Sequence, residues 1–282
     1  MKIAVCGNRY QEKYIGRVIE CIRLLLDSGA EVGVRRQFAE YLGELPKGAE
    51  AIDFPLGYDA VASFGGDGTF LRAARWVGDS GIPVLGINTG HLGFLATYSI
   101  DETPELIDVL LKGKAVVEKR MLLKLDCAEM PEGFYPYALN EVAILKEDTA
   151  SMIDVDLFVD DIFIADYMAD GLIVATPTGS TAYNLSVGGP ILHPQIDCMT
   201  LSPVASHTLT LRPMVIGGES HLRAVTDTRA DSYRVSVDGS SFTLPRGTEI
   251  RISKAPFRLN ILRRPGDDFA STLRHKLLWG QR

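Results

Sequence analysis

The stretch Phe64-Gly65-Gly66-Asp67-Gly68-Thr69-Phe70-Leu71 places one carboxylate among three glycines, directly after the apolar run Ala60-Val61-Ala62-Ser63-Phe64. A strand that turns into a helix through glycines exposes backbone N–H groups and the positive end of a helix, a natural cradle for phosphate. Glycine also lets a ligand approach the backbone closely. Asp67 is the odd residue here, because a carboxylate repels phosphate. It makes sense as a base that takes a proton from an acceptor hydroxyl, or as help for a metal ion bridging phosphates. On local chemistry alone the stretch also reads as a Gly-Asp-Gly surface turn. A second stretch runs from Asp170-Gly171 through Thr176-Pro177-Thr178-Gly179-Ser180-Thr181-Ala182-Tyr183-Asn184 and carries four hydroxyls in six positions. Hydroxyls beside a helix start suit a ligand with phosphates, riboses or a purine edge. Helix capping by Thr178 or Ser180 explains the same residues without a ligand. The pair Asn140-Glu141 sits between apolar flanks and, taken alone, is a solvated strand edge.

Elements of two kinds must position these residues. In the first third, Lys2–Gly7, 32–34, Ala60–Phe64 and 82–87 read as short strands. Between them Tyr14, Ile15, Val18, Ile19, Ile22, Leu25 and Leu26 recur at helical spacing up to Ser28-Gly29, and a second helix follows the glycine turn over 69–77. Thr103-Pro104-Glu105 opens a further helix, with Thr103 as cap. That rhythm predicts a parallel sheet covered by helices, with ligands beyond the carboxyl ends of its strands. There the 65–69 turn and the Asn88-Thr89-Gly90-His91 loop would emerge, with His91 shaping its loop. From about residue 118 the pattern turns to strands: 121–127, 137–145, 152–159, 209–215, 221–225, 233–237, 242–244, 249–253 and 258–262. Asp160-Asp161 and Asp238-Gly239 read as hairpin turns. The one helix expected in this part lies near 180–187. After Pro265-Gly266, Phe269, Leu273, Leu277 and Leu278 return to helical spacing and need a surface to cover. The division expected is 1–118 as an α/β domain, 119–264 as a mostly β domain, and 265–282 as a helix returning to the first.

Composition excludes several classes. With 282 residues, 46% hydrophobic and 23% charged, the chain is that of a soluble globular protein large enough for two domains. A net charge of −7 argues against general binding of nucleic acid or an anionic membrane. No run approaches the ~18 apolar residues that span a bilayer. Cys6, Cys21, Cys127 and Cys198 are far apart, which suits free thiols in a reducing cytoplasm and no zinc site. Walker, Gly-x-Gly-x-x-Gly, His-Glu-x-x-His and Gly-x-Ser-x-Gly motifs are missing. His193, His207, His221 and His275 show no ligand spacing.

Taken together, residues 64–71, Asn88 to Leu95, Asn140-Glu141 and 170–184 stand in the order and spacing of the NAD kinases, and the chain resembles the bacterial members of that family over nearly its whole length. The Gly-Gly-Asp-Gly-Thr element is shared with diacylglycerol and sphingosine kinases and phosphofructokinases. The run Asp-Gly-x-Ile-x-x-Thr-Pro-Thr-Gly-Ser-Thr-Ala-Tyr is far more specific. The resemblance implies a Rossmann-like N-terminal domain, a C-terminal β-sandwich domain that binds NAD, and a nucleotide site in the cleft between them. It implies transfer of the γ-phosphoryl of ATP to the 2′-hydroxyl of the adenosine ribose of NAD, with Mg²⁺ or another divalent cation, in a homodimer or homotetramer whose contacts help complete the site. Asp67 matches the catalytic carboxylate, and Gly68 lies against the dinucleotide. Phe94 corresponds to an aromatic beside the adenine, and Asn140 and Glu141 to the pair that holds ribose and base. Asp170 matches a ligand-binding Asp. Thr181, Ala182, Tyr183, Asn184 and Ser186 match the stretch around the adenosine and nicotinamide, with Thr178 ahead of it and Ala205 bordering the ligand. Arg72, one helical turn past Asp67, faces the same loop as a counter-charge for phosphate or is a solvated helix arginine. The first loop, Gly7-Asn8-Arg9-Tyr10, lacks the Asn-Pro or Lys-Pro pair of relatives. A lipid kinase would leave the hydroxyls of 176–184 unexplained, and a non-catalytic dinucleotide sensor would leave Asp67 so.

Overall fold

The β-branched runs of the first third form strands, and the segments of helical period between them form helices. A computed structural model describes residues 1–9, 12–90, 93–147 and 151–280 and divides into two compact units, Met1–Lys119 with Leu259–Arg282, and Arg120–Arg258. In the first unit β1 (Lys2–Gly7), β2 (Glu31–Arg35), β3 (Ala49–Ile52), β4 (Ala60–Phe64) and β5 (Val84–Asn88) form a sheet in the order β3-β2-β1-β4-β5. Every neighbouring pair in it is parallel. β6 (Tyr98–Ser99) pairs in parallel alongside the end of β5, and Ile261 pairs with Val84 at its start. Helices α1 (Ile15–Asp27), α2 (Arg36–Leu42), α3 (Asp67–Val77) and α4 (Thr103–Leu111) also belong to this unit. This is the doubly wound order, whose strand sequence reverses between β1 and β4, so that a crevice opens beyond Gly7 and Phe64.

Two local expectations change. Residues 36–52 carry no clear periodicity yet supply α2 and the edge strand β3. Thr103 is the first helical residue of α4 and not its cap: its hydroxyl donates to Ile100 O, and Ser99 with Glu102 forms a capping box one short turn earlier.

The second unit comprises β7 (Val116–Asp126), β8 (Tyr137–Ala138), β9 (Glu141–Lys146), β10 (Ile153–Val159), β11 (Ile162–Ala169), β12 (Gly171–Ala175), the one-turn α5 (Tyr183–Ser186), β13 (Cys198–Val204), β14 (Met214–Gly217), β15 (Leu222–Thr228), β16 (Ser232–Val237), β17 (Ser240–Pro245) and β18 (Glu249–Arg263), whose last residues enter the first unit. One antiparallel sheet runs β14-β13-β12-β9-β16-β17, and β11-β10-β15-β18 forms the second layer. Met121, Leu123, Val142, Ile144, Val155, Leu157, Leu172, Val174 and Val235 share one core between the layers, a β-sandwich. In β10 Ile153, Val155 and Leu157 are buried, Asp154 between them is half-buried and Asp156 exposed, in keeping with their alternation. Asp160-Asp161 and Asp238-Gly239 form the two-residue turns, all four with positive φ.

Three segments differ from expectation. The stretch 137–145 breaks between Ala138 and Glu141, the strand expected from 209 begins only at Met214, and 249–253 and 258–262 join into one strand through Pro256. The last helix, α6 (Phe269–Leu277), is capped by Asp268 but buries no residue; Leu278 and Trp279 are 65% and 57% exposed. No described helix is long and apolar enough to cross a membrane.

Candidate active site

In the first unit the glycine turn occupies the crevice end of β4. α3 starts at Asp67, behind Gly66. The Asp67 carboxylate reaches across to a neighbouring loop: Oδ2 accepts the Phe94 N–H at 2.9 Å, and Oδ1 accepts those of Leu95 and Ala96 at 3.0 Å each. Gly93 makes this approach possible, since any Cβ there would overlap the Asp67 carboxylate. A carboxylate has about four acceptor positions, so three are spent on the backbone and Oδ2 keeps one. Arg72 donates from Nη2 to Thr69 Oγ1 at 3.1 Å, which turns the guanidinium toward the turn. Asp67, the exposed Gly68, Arg72 and the half-buried Phe94 therefore come together. His91 and Tyr10 lie outside the described residues.

In the second unit β12 is fully buried between β9 and β13 and delivers Thr176 beside Asn140. The Thr176 N–H donates to Asn140 O at 2.8 Å, and its hydroxyl donates to Leu139 O and accepts from the Gly179 N–H. Gly179 admits only hydrogen at its Cα, since a Cβ would strike the Asn140 carbonyl. Ser180 donates to Pro177 O and accepts from the Leu192 N–H. Thr178 accepts from the buried Arg120 at 3.3 Å. The hydroxyls thus knit the turn; neither Thr178 nor Ser180 caps a helix, and the expected helix is a 3₁₀ turn, Gly179–Thr181, followed by α5. Thr181, Ala182, the exposed Tyr183 and Ser186 line its open side. Asn184 is wholly buried: its amide donates to Ser180 O and Pro190 O and accepts from the Ser202 hydroxyl, so it shapes the turn from inside.

Glu141 opens β9 next to this turn. Burial, and then the nearby Asp238, raise its carboxyl to about 8, partly offset by the Tyr183 N–H. One of its oxygens, Oε2, is buried without a hydrogen-bond partner among the described residues. Asp238 is raised to about 6 by burial, held back by three N–H groups that it accepts from Leu139, Asn140 and Glu141 at 2.7–3.1 Å. Asp170 and Ala205 lie elsewhere. Gly171 pairs with Val204 and Leu145, whereas Ala175 pairs with Glu141, so both sit at the opposite end of β12 from Thr176. Six residues of strand span roughly 20 Å. Asp170 is paired there with Lys146 at 2.7 Å, and Ala205 is exposed with φ 47°.

The profile of the ATP-NAD kinase N-terminal domain matches residues 3–115, and that of the C-terminal domain matches 139–264. The chain belongs to the ATP-NAD kinase family. The NAD kinase of Bacteroides fragilis is 43% identical over 285 residues, covering 99% of this chain and 98% of that one. That of Flavobacterium psychrophilum is 38% identical over 290 residues, covering 100% and 99%. Among solved structures, an NAD kinase from Archaeoglobus fulgidus in complex with ATP superposes with TM-score 0.76 at 28% identity, covering 99% of both chains. Yeast NADH kinase complexed with NADH does so with TM-score 0.90 at 23% identity, covering 100% of this chain and 89% of that one, a likeness of fold. Within this family member, the group that sequence reasoning missed is Asp238. Its only signal was the Asp-Gly hairpin dipeptide; that its carboxylate holds residues 139–141 is a tertiary fact.

Proposed function

We propose that the chain transfers the γ-phosphoryl of ATP to the 2′-hydroxyl of the adenosine ribose of NAD, giving NADP. The placement of Asp67 carries this reading. It stands in a glycine turn at the switch point of a doubly wound sheet, fixed by three N–H groups, with one acceptor position left on Oδ2 for a hydroxyl proton. Phosphoryl transfer asks mainly for alignment and charge stabilisation. The N–H groups of the turn and Arg72 serve the donor phosphates. Asn140, Glu141, Thr181, Ala182, Tyr183 and Ser186 hold the acceptor, with Asn184, Thr178 and Asp238 shaping their support. Glu141 keeps its proton at neutral pH and can donate to the acceptor from a carboxylic acid.

A protein-held Mg²⁺ does not fit the donor set. Asp67 has one acceptor position left, and no cluster of three His, Cys, Asp or Glu suited to a metal occurs among the described residues. The divalent cation is instead part of the substrate, carried on the ATP phosphates. The protein acts in the cytoplasm as a homo-oligomer. Asp170 and Ala205, a strand's length from Glu141, serve the site of a neighbouring copy.

The test is regiochemical. With ATP and Mg²⁺, NAD should give NADP, whereas 2′-deoxy-NAD should bind and yield no phosphorylated product. Phosphate at the 3′-hydroxyl or on the nicotinamide ribose would overturn the assignment.

A further inference from the structure

Arg35 ends β2, one residue beyond the Val5–Val34 pair, so it stands beside Cys6 at the crevice end of the sheet. Its guanidinium lies over the Trp76 ring, 5.3 Å from the centroid, and Trp76 is four residues after Arg72 on α3. Arg35 and Arg72 therefore meet on one side of that helix. Their charges are felt at the same buried thiol: Cys6, raised to about 11 by burial, is drawn back by Ser63 and then by Arg35 and Arg72. Burial, Arg72 and Arg75 in turn lower the Arg35 guanidinium.

Neither Arg35 nor Arg72 is paired with a carboxylate among the described residues. Asp53 is taken by Arg36 through both oxygens, at 2.7 and 2.8 Å, and offers Trp76 only its backbone carbonyl. Asp67 is committed to three N–H groups. Like charges gathered without an anion are unfavourable unless a ligand supplies one, and a planar guanidinium matches phosphate oxygens two at a time. The chain as a whole carries −7, so this concentration of positive charge is local and would draw a polyanion to the glycine turn.

We propose that Arg35 and Arg72 form a polyphosphate clamp beside the glycine turn, and that the chain it holds is the triphosphate of the nucleotide donor. The proposal rests on the phosphoryl-transfer reading above and adds Arg35, with Trp76 as the ring that orients it. The pyrophosphate of the acceptor has the same chemistry, so the two sources must be tested apart.

Calorimetric titration of the full chain with ATP, inorganic tripolyphosphate and NAD, without turnover, does this. Arg35→Gln and Arg72→Gln should each weaken ATP and tripolyphosphate by about 10- to 100-fold, the loss of one charged hydrogen-bonding group, and leave NAD within about twofold. Arg35→Lys should recover part of the loss. Unchanged binding of ATP and tripolyphosphate in a folded Arg35→Gln variant would overturn the clamp, as would NAD weakened as much as ATP. Arg72 is exposed on α3, so its variant carries the test if Arg35→Gln melts early. Because only binding is read, this result stands apart from whether the wild-type chain makes NADP.

Discussion

Two carboxyl groups of this protein work under opposite constraints. Asp67 is saturated but for one position, and replacing it by Asn puts an N–H₂ donor against backbone donors as well as removing the base. Asp67→Asn should lower kcat by ~10²–10⁴-fold and cost about 1–3 kcal/mol of stability, with NAD affinity largely kept. Turnover, calorimetric NAD binding and melting would be read together. Near-normal turnover would remove Asp67 from proton transfer, and NAD binding lost alongside kcat would make the loop the cause. Glu141 is the reverse case, a buried acid that keeps its proton to about 8 against an ordinary 4.5. The folded state then binds a proton that the unfolded chain has released, so stability falls as pH rises between those two values. Asp238 contributes in the same direction only up to about 6. Glu141→Gln should therefore flatten the dependence of the denaturation midpoint between pH 6 and 8, and an unaltered slope would refute the shift. Asp67 and Arg72 stood out in the sequence because they flank one glycine turn, and Phe94 only because its loop matches the family's motif. Asp238 and Arg35 did not, because each acquires its partners only through the sheet.

At the scale of elements, legibility followed periodicity. β1, α1, β4 and the alternating β10 carry patterns that burial enforces. β18 reads as two strands in the sequence, 249–253 and 258–262, yet it is continuous: Pro256, which lacks a ladder donor, sits between the pairing of 249–252 with β15 and that of Ile261 with β5. The helix expected near 180–187 dissolved because hydroxyls at Thr176 and Ser180 satisfy the local backbone in place of helical bonds. α6 has the right spacing but covers little. A chain ending at Asp268 keeps the Asp267 contact with Tyr98 and should melt within a few degrees of the full chain, a loss under about 1–2 kcal/mol. A large drop on calorimetry would show that α6 supports more than its own exposure suggests.

For the whole molecule, the separation of Asp170 from Glu141 makes a prediction about assembly. If each site takes Asp67 from one copy and Asp170 from another, Asp67→Asn and Asp170→Asn are each inactive, and co-expressed they should recover activity. Random pairing in a dimer would restore about a quarter of the wild-type sites, and no recovery would place both residues in one copy's site. The two-part first unit also bears on how the protein is made. Val84 pairs with Val61 on one side and with Ile261 on the other, and Ile261 lies in a segment synthesised only after the whole second unit. On the ribosome the first unit waits with the start of β5 paired to β4 but bare on its outer side, an open edge that invites pairing with other nascent chains. The second unit, contiguous from Arg120 to Arg258, can close before its elder neighbour. The order of completion then inverts the order of translation, and a chain cut short before Leu259 would release a finished sandwich tethered to an unfinished sheet.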